Sequence, residues 1–238
     1  AYYEMYGPAG VKTLYKTQEY ARSKGMYVIT DGKRNDIGTT MEAYAAEHLG
    51  KVQVGSQTYE PFLGDALTVN GYLGSDGIKP LVATRRDNDK GIFVLVKTSN
   101  PSSGELQDKK IDGVTIYETM GHMCEEWGKE LPGVYGYSGV GAVVGATYPE
   151  QLKYLREKLP TTFFLIPGYG AQGAGAKDIA GAFDKNGLGG IVNSSRGIMC
   201  AYQKEKCDEH EFAEAARREA IRMRDEIMGI VGKIVINK

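Results

Sequence analysis

Met26-Tyr27-Val28-Ile29-Thr30-Asp31-Gly32-Lys33-Arg34-Asn35-Asp36-Ile37-Gly38-Thr39-Thr40, running on through Met41 to Leu49 and Gly50, reads as one complete strand, loop and helix. Met26–Thr30 is a short run of apolar and β-branched residues, the composition of a strand. Asp31–Thr40 is polar and charged. Thr40–Leu49 carries apolar residues at helical spacing, and Gly50 supplies the usual stop.

The same rhythm extends in both directions. Strands are expected at Asp65–Asn70, Gly91–Thr98, Gly141–Gly145, Thr162–Ile166 and Gly189–Asn193, with Ala1–Glu4 as the stub of another. Helices are expected over Gly10–Ser23, Ile78–Arg85, Val114–Glu130, Pro149–Lys158, Ala176–Lys185 and Glu209–Ile230. Alternating strands and helices are the mark of parallel βα units, so the fold class is α/β. With 238 residues the chain has about the length of one TIM (β/α)8 barrel, and a single domain over 1–238 is expected. In such a barrel the loops after the strands share one face and carry the ligand site.

Composition narrows the function. Lys and Arg total 29 against 30 Asp and Glu, with no basic run to neutralise a nucleic-acid backbone, so no nucleic-acid partner is expected and any anionic ligand must be met by a local site. Cys124, Cys200 and Cys207 form no C-x-x-C pair, which suits a reducing cytoplasm better than a disulfide framework or zinc knuckle. The absence of a long apolar stretch and of a signal-like start predicts a protein that neither spans a membrane nor is exported.

Four post-strand loops carry candidate chemistry. Asp31, Lys33 and Asp36 place a lysine between carboxylates; nearby negative charge favours the ammonium form, so Lys33 suits proton donation, not Schiff-base attack. Alone, this motif is also what a solvated loop with surface ion pairs looks like. Pro167-Gly168-Tyr169-Gly170-Ala171-Gln172-Gly173-Ala174-Gly175 follows a strand and opens a helix, so its amides can face an anion. It matches G-x-G-x-x-G, but the dinucleotide reading needs the first βα unit and an acidic end to the next strand, and here that strand runs into Asn193-Ser194-Ser195-Arg196. These serines and Arg196 sit where barrels commonly hold phosphate. Lys97-Thr98-Ser99-Asn100-Pro101 is a further polar turn, able to read a heterocycle edge or to be only a turn. His48, His122 and His210 show no triad or zinc spacing and read as surface or packing residues, so no metal is expected.

Taken together, Asp31–Thr40, Lys97–Pro101, Pro167–Gly173 and Asn193–Gly197, in this order and at strand ends, resemble the orotidine 5′-phosphate decarboxylases, specifically the longer bacterial subgroup. The resemblance implies conversion of orotidine 5′-phosphate to uridine 5′-phosphate and CO2 in pyrimidine biosynthesis, without a cofactor. It implies that Lys33 protonates C6 with Asp31 beside it, and that Asp36, Ile37 and Thr40 serve the site of a second copy in a homodimer with shared sites. Ser99 would read the pyrimidine edge and Pro167 line the base pocket. Gln172 and Arg196 would hold the 5′-phosphate, with Gly173 and Ser195 also in the substrate-binding set. The family also carries an earlier strand, with an aspartate and a lysine that have no counterpart here. The expectation is therefore a sequence lacking the N-terminal part of the barrel. Two rivals stay open: a Mg²⁺-dependent sugar-phosphate decarboxylase or synthase of the same superfamily, and a catalytically silent nucleotide-binding dimer.

Overall fold

The computed structural model describes residues 1–238 except 171–172, 233 and 236–238; the side chains of residues 87 and 209 are also left aside. The chain divides into two compact units interleaved in sequence: residues 1–95, 123–133 and 138–142 form the first, and 96–122, 134–137 and 143–238 the second.

In the first unit, helices Gly7–Ser23, Gly38–Leu49 and Ser75–Asn88 alternate with strands Ile29–Arg34 and Ala66–Val69 and the start of Gly91–Lys97. The strands are parallel, in the order 29–34, 66–69, 91–97, 140–144. Ala66 faces Gly91, Leu67 faces Ile92 and Val69 faces Val94. Every residue of Ala66–Val69 is buried, as parallel strands covered on both faces require. Helix Gly38–Leu49 buries Met41, Ala45, His48 and Leu49, spaced 0, +4, +7 and +8, which is one helical face turned to the core. Removing Leu49, 1% exposed, would cost about 2–5 kcal/mol through lost burial and the cavity left.

In the second unit, strands Phe164–Ile166 and Gly190–Val192 pair in parallel with Gly190 opposite Phe164 and Val192 opposite Ile166. Helices Pro149–Lys158, Ala176–Ile179, Ser195–Met199, Ala201–Glu205 and Phe212–Val231 accompany them. Pro149 opens its helix at a position where the missing N–H costs nothing. The last helix buries Ala215 and Met223. As expected its arginines face solvent, in ion pairs of Arg218 with Glu205 and of Arg222 with Glu219 and Glu226.

Several elements depart from expectation. Ala1–Glu4 is not a strand: Met5 N–H donates to Ala1 O at 3.0 Å and Tyr6 N–H to Tyr3 O at 3.1 Å, so the backbone is satisfied locally in a turn that runs through the 3-10 helix Glu4–Tyr6 into the first long helix. The strand expected at Met26–Thr30 is Ile29–Arg34, carried through the charged motif by pairing with Ala66–Val69. Two hairpins, Val52–Val54 with Gln57–Tyr59 and Lys110–Ile111 with Val114–Thr115, were not expected. The second turns on Asp112-Gly113, both with positive φ, the backbone of a type I′ turn. It takes Val114 and Thr115 away from the helix, which runs Ile116–Gly128.

Candidate active site

Asp31 and Lys33 stand on an irregularity in their strand. Thr30 pairs with Leu67 and Arg34 with Val69, so four residue steps on one strand face two on the other. Lys33 takes up the excess with φ at 48°, in the left-handed region. A lysine there costs about 1–3 kcal/mol, so its surroundings must hold it. They do so through Thr68, 1% exposed in the middle of Ala66–Val69. Lys33 N–H donates to Thr68 Oγ1 at 3.0 Å, and that hydroxyl donates to Asp31 Oδ1 at 2.8 Å. Lys33 Nζ donates to the same Oδ1 at 2.5 Å. Each such bond contributes roughly 0.5–1.5 kcal/mol net, comparable to the strain it opposes.

The protein packed around the Asp31 carboxyl pushes its pKa up, but hydrogen bonds from Lys33 and Thr68 and the lysine's charge outweigh this and hold it below the ordinary carboxylate value. The result is an ionised carboxylate gripping an ammonium that is itself half exposed, at 51%. Asp36 does not join them. Its Oδ1 accepts Ile37 N–H at 2.8 Å, and among the described residues no ion pair links Asp36 to Lys33 of the same chain. Ile37 and Thr40 are exposed at the start of the following helix. Thr68 was missed by sequence reasoning; the available signal was a hydroxyl inside an otherwise aliphatic, fully buried strand.

The second unit holds the other candidate residues. The Ser99 turn leaves strand Gly91–Lys97 over a packed polar base: Lys97, fully buried, donates to Asp108 Oδ1 at 2.8 Å and Ser103 Oγ at 3.1 Å and lies 4.6 Å from the Tyr148 ring centroid. Thr98 N–H donates to Gln107 Oε1 at 2.9 Å and Gln107 Nε2 donates back to Thr98 Oγ1 at 2.7 Å. Ser99 lies against Gly145, where a Cβ would come within 2.8 Å of the serine Cβ, so only glycine fits. Pro167 is half-buried, its carbonyl accepting Ala146 N–H at 2.9 Å.

The glycine-rich loop and the Ser194–Arg196 turn are brought together within this unit. Buried Ser194 donates through Oγ to Tyr169 O at 2.9 Å, and Tyr169 OH donates to Glu226 Oε2 of the last helix at 2.7 Å. Gly173 is exposed with φ at 83°, while Gln172 lies outside the described residues. The helix after the loop is only the four residues Ala176–Ile179, continued by a 3-10 turn, shorter than the Ala176–Lys185 expected. Ser195 Oγ accepts from Asn193 Nδ2 at 3.5 Å. Arg196 is exposed, and among the described residues its guanidinium has no ion-pair partner. Among those residues no group of three or more His, Cys, Asp or Glu is placed to hold a metal ion.

Parallel strands followed by helices, with a charged lysine motif at one strand and polar loops after others, define an α/β protein of the TIM-barrel class. The chain belongs to the orotidine 5′-phosphate decarboxylase / HUMPS family, whose sequence profile matches residues 2–208. It is 46% identical over 233 residues to the orotidine 5′-phosphate decarboxylase of Rhodopirellula baltica, covering 96% of this chain and 76% of that one. The structure of Leishmania donovani OMP decarboxylase superposes with a TM-score of 0.73 at 31% identity, over 95% of this chain and 78% of the other. A candidate orotidine-monophosphate decarboxylase from Toxoplasma gondii gives a TM-score of 0.78 at 32% identity, over 97% and 78%. The expected fold class is thereby borne out.

Proposed function

We propose that this chain is an orotidine 5′-phosphate decarboxylase, converting orotidine 5′-phosphate to uridine 5′-phosphate and CO2 in pyrimidine biosynthesis. The observation that carries the reading is Lys33: an exposed ammonium at a strand end, held by an ionised Asp31 and by a backbone fixed in the left-handed region. As the C6–carboxylate bond breaks, its electron pair stays on C6. A fixed positive charge beside that carbon stabilises the developing carbanion, and the Lys33 proton then passes to C6. The chain's relatives bear the same activity in their names.

The remaining roles follow the family resemblance. Ser99 reads the pyrimidine edge, Pro167 lines the base, Gln172 and Arg196 hold the phosphate, and Gly173 and Ser195 complete the substrate-binding set. Arg196, charged and without an ion-pair partner among the described residues, suits a phosphate by its planar pair of donors. Asp36, Ile37 and Thr40 serve a second copy, so the working unit is a homodimer of single-domain barrels. In support, among the described residues no ion pair joins Asp36 to its own Lys33, and Ile37 is 51% exposed. A cytoplasmic location fits three free cysteines.

The test is loss of orotidine 5′-phosphate absorbance on addition of the protein, with and without a chelator. Turnover indifferent to chelator is expected; chelator-sensitive turnover would favour the Mg²⁺-dependent rival, and uridine 5′-phosphate binding without turnover the silent dimer. Lys33→Ala should abolish turnover while leaving uridine 5′-phosphate binding measurable, and an unchanged rate would sink the assignment.

A further inference from the structure

We propose that Thr68 is a positioning residue for the decarboxylation, its hydroxyl setting both the backbone of Lys33 and the carboxylate of Asp31; this rests on the function just proposed. The hydroxyl sits between the two. It accepts Lys33 N–H at 3.0 Å and donates to Asp31 Oδ1 at 2.8 Å, the oxygen that also receives Lys33 Nζ. The atoms close a ring in which one buried side chain fixes the lysine at its root and at its tip.

Three features make this placement more than a passing contact. Thr68 is 1% exposed, so water cannot readily replace its hydroxyl. Its strand neighbours Ala66, Leu67 and Val69 are aliphatic and buried, which leaves Thr68 the one hydroxyl of that strand able to meet the motif. It also faces the two-residue excess between Thr30 and Arg34, where the ladder lacks regular pairing and Lys33 lies at positive φ. Thr68 thus supplies the hydrogen bonds that the irregular ladder does not. A reacting ammonium displaced by about 1 Å loses on the order of 100-fold in rate, so the cost of removing this support falls on the chemical step.

Thr68→Val keeps the shape and removes the hydroxyl; Thr68→Ser keeps the hydroxyl. Thr68→Val should lower kcat about 10- to 100-fold while KM and the Kd for uridine 5′-phosphate stay within about twofold, because the group acts only through Lys33 and Asp31. Thr68→Ser should recover most of the loss. A second readout is independent of turnover: in carbon-13 spectra the Asp31 carboxyl of Thr68→Val should titrate at higher pH than in the unaltered protein, since it has lost a hydrogen bond to its charged form. Unchanged kcat, or an unchanged Asp31 titration, overturns the proposal. So does a parallel fall in kcat, nucleotide affinity and thermal midpoint that serine does not rescue, which marks a role in packing alone. An unaltered protein that fails to turn over orotidine 5′-phosphate defeats the functional reading instead, and the Asp31 titration then still decides whether Thr68 sets the pair.

Discussion

Lys97 Nζ, fully buried, meets Asp108 Oδ1 at 2.8 Å, and this pair underlies the turn that presents Ser99. An ammonium out of water is tolerable only with its charge and hydrogen bonds met, here by Asp108, by Ser103 Oγ and by the faces of Tyr148 and Tyr117. Asp108→Ala leaves that ammonium without its carboxylate. Loss of one partner of a fully buried pair costs about 3–5 kcal/mol; Asp108 is 41% exposed, so roughly 2–3 kcal/mol is expected. Urea unfolding measures it, and a midpoint equal to that of the unaltered protein would show that Lys97 finds other compensation.

A second anchor acts on the glycine-rich loop. Burial first, and then the hydrogen bond to Glu226, push the Tyr169 phenol up to about 12, so it stays a donor throughout the working range. Tyr169→Phe removes that bond while the backbone link from Ser194 Oγ to Tyr169 O remains. Glu226 is partly exposed, so a stability loss of only about 1 kcal/mol is expected. If the loop contributes to phosphate binding, KM rises several-fold with kcat little changed. A fall in kcat alone would remove this loop from substrate binding.

Much of this architecture is legible in the sequence because buried parallel strands read as apolar runs. Ala66–Val69, Gly91–Lys97 and Val140–Val144 are located within a residue or two for that reason. The hairpins at 52–59 and 110–115 are short and mostly exposed, so no hydrophobic pattern marks them; only Gly55-Ser56 and Asp112-Gly113 hint at their turns. Among the site residues, charge and order in the chain identify Asp31, Lys33, Ser99 and Arg196 as candidates. Thr68 shows in the sequence only as a hydroxyl in an aliphatic strand, and its role is hidden because it comes from strand register with a residue 35 positions away. Lys97 reads as the polar end of a strand, and its burial depends on a carboxylate eleven residues on.

Arg196 offers a separate test of the phosphate assignment. It is exposed beside Ser195 at the start of helix Ser195–Met199, and among the described residues it has no carboxylate to satisfy it. Arg196→Ala should chiefly raise KM, by about 10- to 100-fold if one charge-assisted pair of roughly 1.5–3 kcal/mol is lost. Added salt should weaken binding to the unaltered protein more steeply than to the variant. An unchanged KM takes Arg196 out of the site.

His48 predicts how stability depends on pH. The ring is 3% exposed, stacked 5.2 Å from Phe62, and neither nitrogen has a hydrogen-bond partner among the described residues. Burial first, then the charge of Arg34, lowers its pKa from 6.5 to about 4, against a weaker opposing pull from Glu4. The unfolded chain therefore binds a proton between pH 6.5 and 4 that the folded chain refuses. By linkage, the stability from neutral His48 is complete above pH 6.5 and is lost as pH falls through that window toward 4. The shift sets an upper limit of about 3 kcal/mol on the loss. His48→Phe keeps an aromatic ring against Phe62 and removes the titration, so its thermal midpoint should fall less steeply from pH 6.5 to 4.5 than that of the unaltered protein. Parallel midpoint curves for the two proteins would assign the acid sensitivity to carboxylates held below their ordinary pKa in the folded chain, such as Glu219 with its hydrogen bond from Arg222; Glu47, whose pKa is raised by burial, acts in the opposite direction.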